Sequence, residues 1–272
     1  MAKRTRNLTY NADSFGEAYH VAAAGILDPT AKWRIKNGSE TDRQRARRFF
    51  EECGLTLTHE VRGSGSAATG IIAREFRRLG GTEAQRLLKE RWFPRSLDLT
   101  AIRDYAKCRL AQSPGEKILL WNRLRAQYEV GRNTKIELLD KLAMLACESE
   151  LIPIVIGSPL QESRPWCNLT GLWEVPGLEG YREQLALIRH LLEEYGLLGS
   201  IGNKSGAMDG PALLGLPTLY LEGPKSNKKA RMEKWLNGVV PGYKREWRDE
   251  SGMLADEHPT RDWFKSLTTP PI

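Results

Sequence analysis

The run Gly202-Asn203-Lys204-Ser205-Gly206 gathers an ammonium, a hydroxyl and two glycines, with Asp209 three residues further on. Ser205 and Gly206 stand where a helix would begin. Free backbone N–H groups and a partial positive charge would there face a phosphate. The plainer alternative is an ordinary N-cap with a glycine turn. Lys204 is either a phosphate contact or an exposed turn residue. Asn122, Arg123, Arg125 and Arg132 follow the apolar run at 117–121. Arg123 lies nearest the end of that run, and a guanidinium fork matches phosphate oxygens. Gly157 and Ser158 follow a second apolar run, and Glu222 and Gly223 follow another. Asp209 and Glu222 are suited to sugar or ribose hydroxyls. For Asp209, a first-turn acid favoured by the helix dipole is the alternative. The whole set suits a diphosphate joined to a sugar or ribose.

A second glycine-rich turn, Gly63-Ser64-Gly65, lies between an alternating run at 55–61 and a helical stretch at 67–79. Strand, turn and helix in that order aim N–H groups at an anion. The turn matches neither GxGxxG nor the P-loop pattern. His59 precedes it and is the foremost candidate for proton transfer, with Glu60 and Asp13 behind it.

These residues need a scaffold of parallel strands. Apolar runs at 117–121, 152–157, 197–201 and 217–221 alternate with amphipathic stretches at 134–148 and 180–195 and a short helix through Leu214. Strands separated by helices indicate a parallel sheet covered on both faces, with ligands at the carboxyl ends of the strands. Thr134-Lys-Ile-Glu137 reads as a capping box. The stretch at 158–179 reads as a long loop, whose Trp166 and Trp173 suit stacking on a base or sugar or pinning the loop down. Residues 1–38 carry little periodicity beyond a small, apolar, buried stretch at 18–26. Helices are expected at 39–52, 82–92 and 99–110. In the tail a helix is expected through Trp235, and the acidic, proline-flanked end is expected to be partly disordered.

The segment from Gly202 to Glu222 resembles the donor-site segment of GT-B-fold glycosyltransferases, in their heptosyltransferase-like and fucosyltransferase-like members. Ser-Gly at a helix start, an Ala/Leu-rich helix, Gly-x-Pro-Thr and a strand carry the likeness. Trp121-Asn122-Arg123 is similar to the strand-end arginine used against the donor phosphate. The resemblance covers roughly 115–225, and Asp209 stands where heptosyltransferases usually carry a histidine. It implies an α/β fold with a Rossmann-like sheet in the C-terminal half and a basic, mainly helical N-terminal half. It further implies metal-independent sugar transfer from a nucleotide-diphosphate donor, a co-substrate rather than a resident cofactor. The expected domains are 1–112, 113–225 and a tail, 226–272, packing back on both.

Composition bounds these readings. Hydrophobic residues make up 40% and charged residues 28%, as in ordinary globular chains. No apolar run is long enough for a membrane span. The basic N-terminus lacks the apolar stretch of a secretory signal, so a cytoplasmic setting is expected. The four cysteines form no CxxC pair and the four histidines are scattered, so no metal site is expected. The net charge of +7 is uneven, with +8 over residues 1–110 and −1 over the remainder. Such a half suits an anionic or macromolecular acceptor. Two rival readings follow: a nucleic-acid-binding or regulatory protein without turnover, and an effector that hydrolyses a nucleotide sugar.

Overall fold

The computed structural model describes residues 7–12, 16–58, 67–93, 98–110, 114–124, 130–160, 164, 166–172, 175–224 and 232–269. The C-terminal half is built on a six-stranded parallel sheet. Its strands are β3 (Lys117–Asn122), β4 (Ile152–Gly157), β5 (Cys167–Asn168), β6 (Leu197–Asn203), β7 (Thr218–Glu222) and β8 (Tyr243–Trp247). Their order across the sheet is β5-β4-β3-β6-β7-β8. This is the doubly wound Rossmann order, in which the chain reverses direction between its first and fourth strands. That switch point here lies between β3 and β6.

All six residues of β3 are buried, as are all five of β7. A strand covered on both faces must be apolar throughout, which is why these runs stand out in the sequence. Ile118, Leu120, Val155, Ile201, Leu219 and Leu221 face one side. There they meet α6 (Ile136–Cys147) and, from the end of the chain, α9 (His258–Thr268), which brings Trp263 and Phe264. The tail is thus a helix docked on α6 and the sheet. Its two aromatics supply enough buried area to order an otherwise polar segment.

Leu119, Trp121, Ile154, Ile156 and Tyr220 face the other side, toward α7 (Tyr181–Glu194) and α8 (Gly206–Leu213). The N-terminal half packs on this face. It opens with β1 (Asn7–Asn11), α1 (Glu17–Leu27) and β2 (Lys32–Lys36). β1 and β2 pair in parallel, and Trp33 bridges in parallel to Leu57 beyond β2. Of the strand expected at 55–61, residues 55–58 are described, and they form this single bridge. The βαβ unit at 7–36 lies where the sequence shows little periodicity, because its strands span only five residues each. Four further helices follow: α2 (Glu40–Glu52), α3 (Ala67–Leu79), α4 (Gly81–Trp92) and α5 (Thr100–Leu110). Ser39 caps α2 reciprocally with Asp42.

The apolar core on this side runs without a break from Leu8 to Tyr243. The expected boundary near residue 112 falls between α5 and β3, yet the core does not divide there. Tyr10 and Tyr181 join their hydroxyls across the halves at 3.1 Å. No helix among the described residues is long and apolar enough to cross a membrane.

Candidate functional site

The carboxyl ends of β3 and β4 are held together by one exchange of hydrogen bonds. Asn122 Nδ2 donates to the Ser158 carbonyl at 2.8 Å, and Ser158 N donates to the Asn122 carbonyl at 2.9 Å. Gly157 makes this possible. Its φ is +110°, and a Cβ there would sit 2.3 Å from the Asn122 carbonyl oxygen. The next residue outward, Leu124, is fixed by N–H donation to Ser158 Oγ at 2.9 Å.

Thr134 does not cap a helix. The cap position of α6 is Lys135, without a side-chain bond. The Thr134 hydroxyl instead accepts from Arg123 N at 3.0 Å and donates to the Trp121 carbonyl at 3.2 Å. Those bonds fix the backbone from which Arg123 projects.

Above these strand ends lies a cavity of about 350 Å³, lined by Trp121, Asn122, Arg123, Gly157, Ser158 and Ser205 together with Gly16, Arg45, Leu124 and Ala207. It sits at the switch point, where doubly wound sheets take their ligands, and its volume falls in the range of small-ligand sites. Its described lining carries two guanidinium groups and no carboxylate. Trp121 is 2% exposed, and its indole N–H has no hydrogen-bond partner among the described residues. A buried donor of this kind calls for an acceptor.

Two helices begin at this cavity. Ser205 caps α8, its Oγ accepting from Ala207 N at 3.3 Å. Gly16 starts α1, with no side-chain cap. The two ends touch through backbone: a Cβ on Gly16 would lie 2.2 Å from Ala207 N. Gly16 has ordinary helical dihedrals, so close approach, not conformational freedom, is what requires glycine there. Two positive dipole ends therefore meet at one rim, the α8 end capped by Ser205 and the α1 end without a side-chain cap.

Arg123, Gly157 and Ser205 are thus brought together, with Gly206 on the adjoining backbone. Lys204, Asp209 and Glu222 are not at this cavity, because each is buried and engaged elsewhere. Lys204 Nζ lies 2.5 Å from Glu222 Oε2, and the two side chains are 5% and 1% exposed. Burial lowers the Lys204 pKa, outweighing the carboxylate that raises it. Arg248, just beyond β8, shares this enclosure and is likewise lowered chiefly by burial. Asn203 turns inward and donates to the carbonyls of Arg132 and Asn133 at 3.2 and 3.1 Å. Arg132 therefore belongs with the enclosed group over β6–β8.

Asp209 is 2% exposed. His20 Nε2 lies 2.6 Å from its Oδ2, and Tyr243 OH donates to its Oδ1 at 2.6 Å. Burial, then the neighbouring Asp209, pushes the Tyr243 hydroxyl well above its ordinary pKa. Both oxygens are engaged, and burial keeps the carboxylate out of reach of a sugar hydroxyl in the cavity.

His59, Gly63, Ser64, Gly65 and Arg125 lie outside the described residues, as do Asp13, Glu60 and Trp173. Among described residues no three His, Cys, Asp or Glu side chains group as metal ligands. On α2 the arginines are largely answered on their own helix: Arg43 by Glu40, Arg45 by Asp42 and Arg48 by Glu52. Sequence reasoning missed Gly16, and it reaches Arg45 only as one of four arginines on the 39–52 helix that suit a phosphate or acidic partner. The small-residue run after β1 was the available signal, since such runs mark close helix packing.

No protein-family model matches this sequence, and no curated protein matches it. Solved structures do align with the fold. An E. coli ADP-heptose lipopolysaccharide heptosyltransferase II aligns at TM-score 0.48 and 12% identity, over 96% of this chain and 98% of that chain. A family 9 glycosyltransferase from Veillonella parvula gives TM-score 0.48 and 11% identity, over 96% and 91%. An E. coli heptosyltransferase solved with ADP gives 0.41 and 14%, over 97% and 100%.

Proposed function

We propose that this protein is a glycosyltransferase that binds the diphosphate of a nucleotide-sugar donor in the switch-point cavity. The observation that carries the reading is the convergence of two arginines and two helix N-termini on a cavity whose described lining has no carboxylate. Such a site prefers a multiply charged anion, and preorganised donors gain strength where water is excluded.

In the transfer, an acceptor hydroxyl oxygen forms a bond to the anomeric carbon. The bond from that carbon to the diphosphate oxygen breaks, and its electron pair leaves on the diphosphate. Arg123 and Arg45, which line the cavity, and the N-terminal ends of α1 and α8 are the groups we assign to that growing charge. The hydroxyl proton needs an acceptor. His59 is the candidate we keep for this role, with Glu60 and Asp13 behind it. The acceptor is a molecule that tolerates the basic N-terminal half.

Calorimetric titration with ADP, GDP, UDP and CDP tests the reading. One of them binds the wild type, and Arg123→Ala weakens that binding about tenfold or more, as expected for losing a charge-assisted bond. A folded protein that binds none of the four overturns it. Product analysis with the matching nucleotide sugar, with and without an acceptor, then separates transfer from hydrolysis, and His59→Gln is expected to lower turnover while leaving diphosphate affinity in place.

A further inference from the structure

Two buried polar side chains stand one helical turn behind the rim of the cavity. His20 follows Gly16 on α1, and Asp209 follows Gly206 on α8. The glycines are where the helices touch, and a Cβ on Gly206 would lie 2.6 Å from the Gly16 carbonyl carbon. The His20–Asp209 contact of 2.6 Å closes the gap one turn deeper. Tyr243 holds the second oxygen of Asp209 at 2.6 Å. The other side of His20 meets Trp235 edge-on, with ring centroids 5.3 Å apart. Trp235 is itself tied down, its indole N–H donating to the Thr69 carbonyl on α3 at 3.0 Å.

We propose that His20 and Asp209, with Tyr243 as a clamp, are positioning residues that fix how the two helix N-termini sit against one another. On the functional reading above, they thereby set the affinity of the cavity for a nucleoside diphosphate. The physical reason is range. A helix terminus acts over about one turn, so two of them reinforce each other on one phosphate only while their ends stay in register. Close packing through small residues sets the spacing of the two helices but carries little directional information about their register. A directional bond between one side chain on each helix fixes it. Burying such a pair costs desolvation that an apolar pair would avoid, and the expense is accounted for if the bond sets geometry. A shift of about 1 Å at a site of this kind costs on the order of a hundredfold in function.

The test uses the full chain and the same four nucleoside diphosphates, titrated well below the melting temperature of every variant. His20→Leu removes the bond, whereas His20→Gln keeps an N–H donor close to the Nε2 position. Tyr243→Phe keeps the ring and removes only the clamp. Phe264→Leu, on the opposite face of the sheet, lowers stability without touching the helices. The expected result is a loss of affinity of about tenfold or more in His20→Leu. His20→Gln restores most of it, Tyr243→Phe lies between, and Phe264→Leu binds as the wild type does. If His20→Leu does not fold, Tyr243→Phe and His20→Gln carry the comparison. Folded His20→Leu or Tyr243→Phe protein that binds like the wild type overturns the inference, as does His20→Gln binding as weakly as His20→Leu. A wild type that binds none of the four overturns the functional reading instead, and the positioning role falls with it.

Discussion

Glu222 illustrates how a residue type can be noticed for one chemistry and used for another. At the end of a parallel strand it has the address of a ligand contact, yet its side chain is 1% exposed and lies against Lys204. Removing one partner of a buried ion pair leaves the other charge poorly compensated, and Glu222→Gln is expected to cost roughly 3–5 kcal/mol in urea denaturation. An equal stability of variant and wild type would show that the pair is solvated in solution. Cys53 makes a different point. Burial pushes its thiol up from the ordinary 9.0 to about 12. A pKa raised on folding stabilises the native state fully below the unfolded value and loses that contribution as pH rises through the folded one. Cys53 therefore contributes to stability below about pH 9, and the contribution disappears between pH 9 and 12. In native protein, an alkylating reagent is expected to modify the exposed Cys108 and Cys147 at neutral pH, with Cys53 reacting only after denaturation. Mass spectrometry of the labelled peptides reads this directly.

At the scale of elements, the close contact between α1 and α8 is the feature most open to test. Gly16→Ala places a methyl group against Ala207 N, with no flexible side chain to give way. Overpacking of this sort costs typically about 1–3 kcal/mol, and diphosphate binding is expected to weaken with it. Unchanged binding in a calorimetric titration would separate the contact from the site. The same scale shows what could be read from the chain. The central strands were legible because covering both faces forces an unbroken apolar run. β8 was not, since it is an edge strand whose residues after Tyr243 are exposed at Lys244 and only partly covered beyond it. α9 was not read although Thr260, Trp263 and Phe264 stand at helical spacing, because its charged, proline-flanked surroundings look like a disordered tail. Arg123, Gly157 and Ser205 could be named from their places after strands. The His20–Asp209 pair could not, because its partners are separated by 189 positions and only the fold makes them neighbours.

For the whole molecule, a core that runs unbroken from Leu8 to Tyr243 makes the halves unfold together. A single calorimetric transition is expected, with calorimetric and van't Hoff enthalpies equal; two separable transitions would show independent halves.

That unbroken core also bears on how a substrate gets in. Tyr10 and Tyr181, and His20 and Asp209, are bonded across the line along which two lobes would have to swing. Both pairs, among the described residues, oppose such a swing. The cavity is therefore expected to fill and empty by local movement at its mouth, and X-ray scattering should give the same radius of gyration with and without a nucleotide.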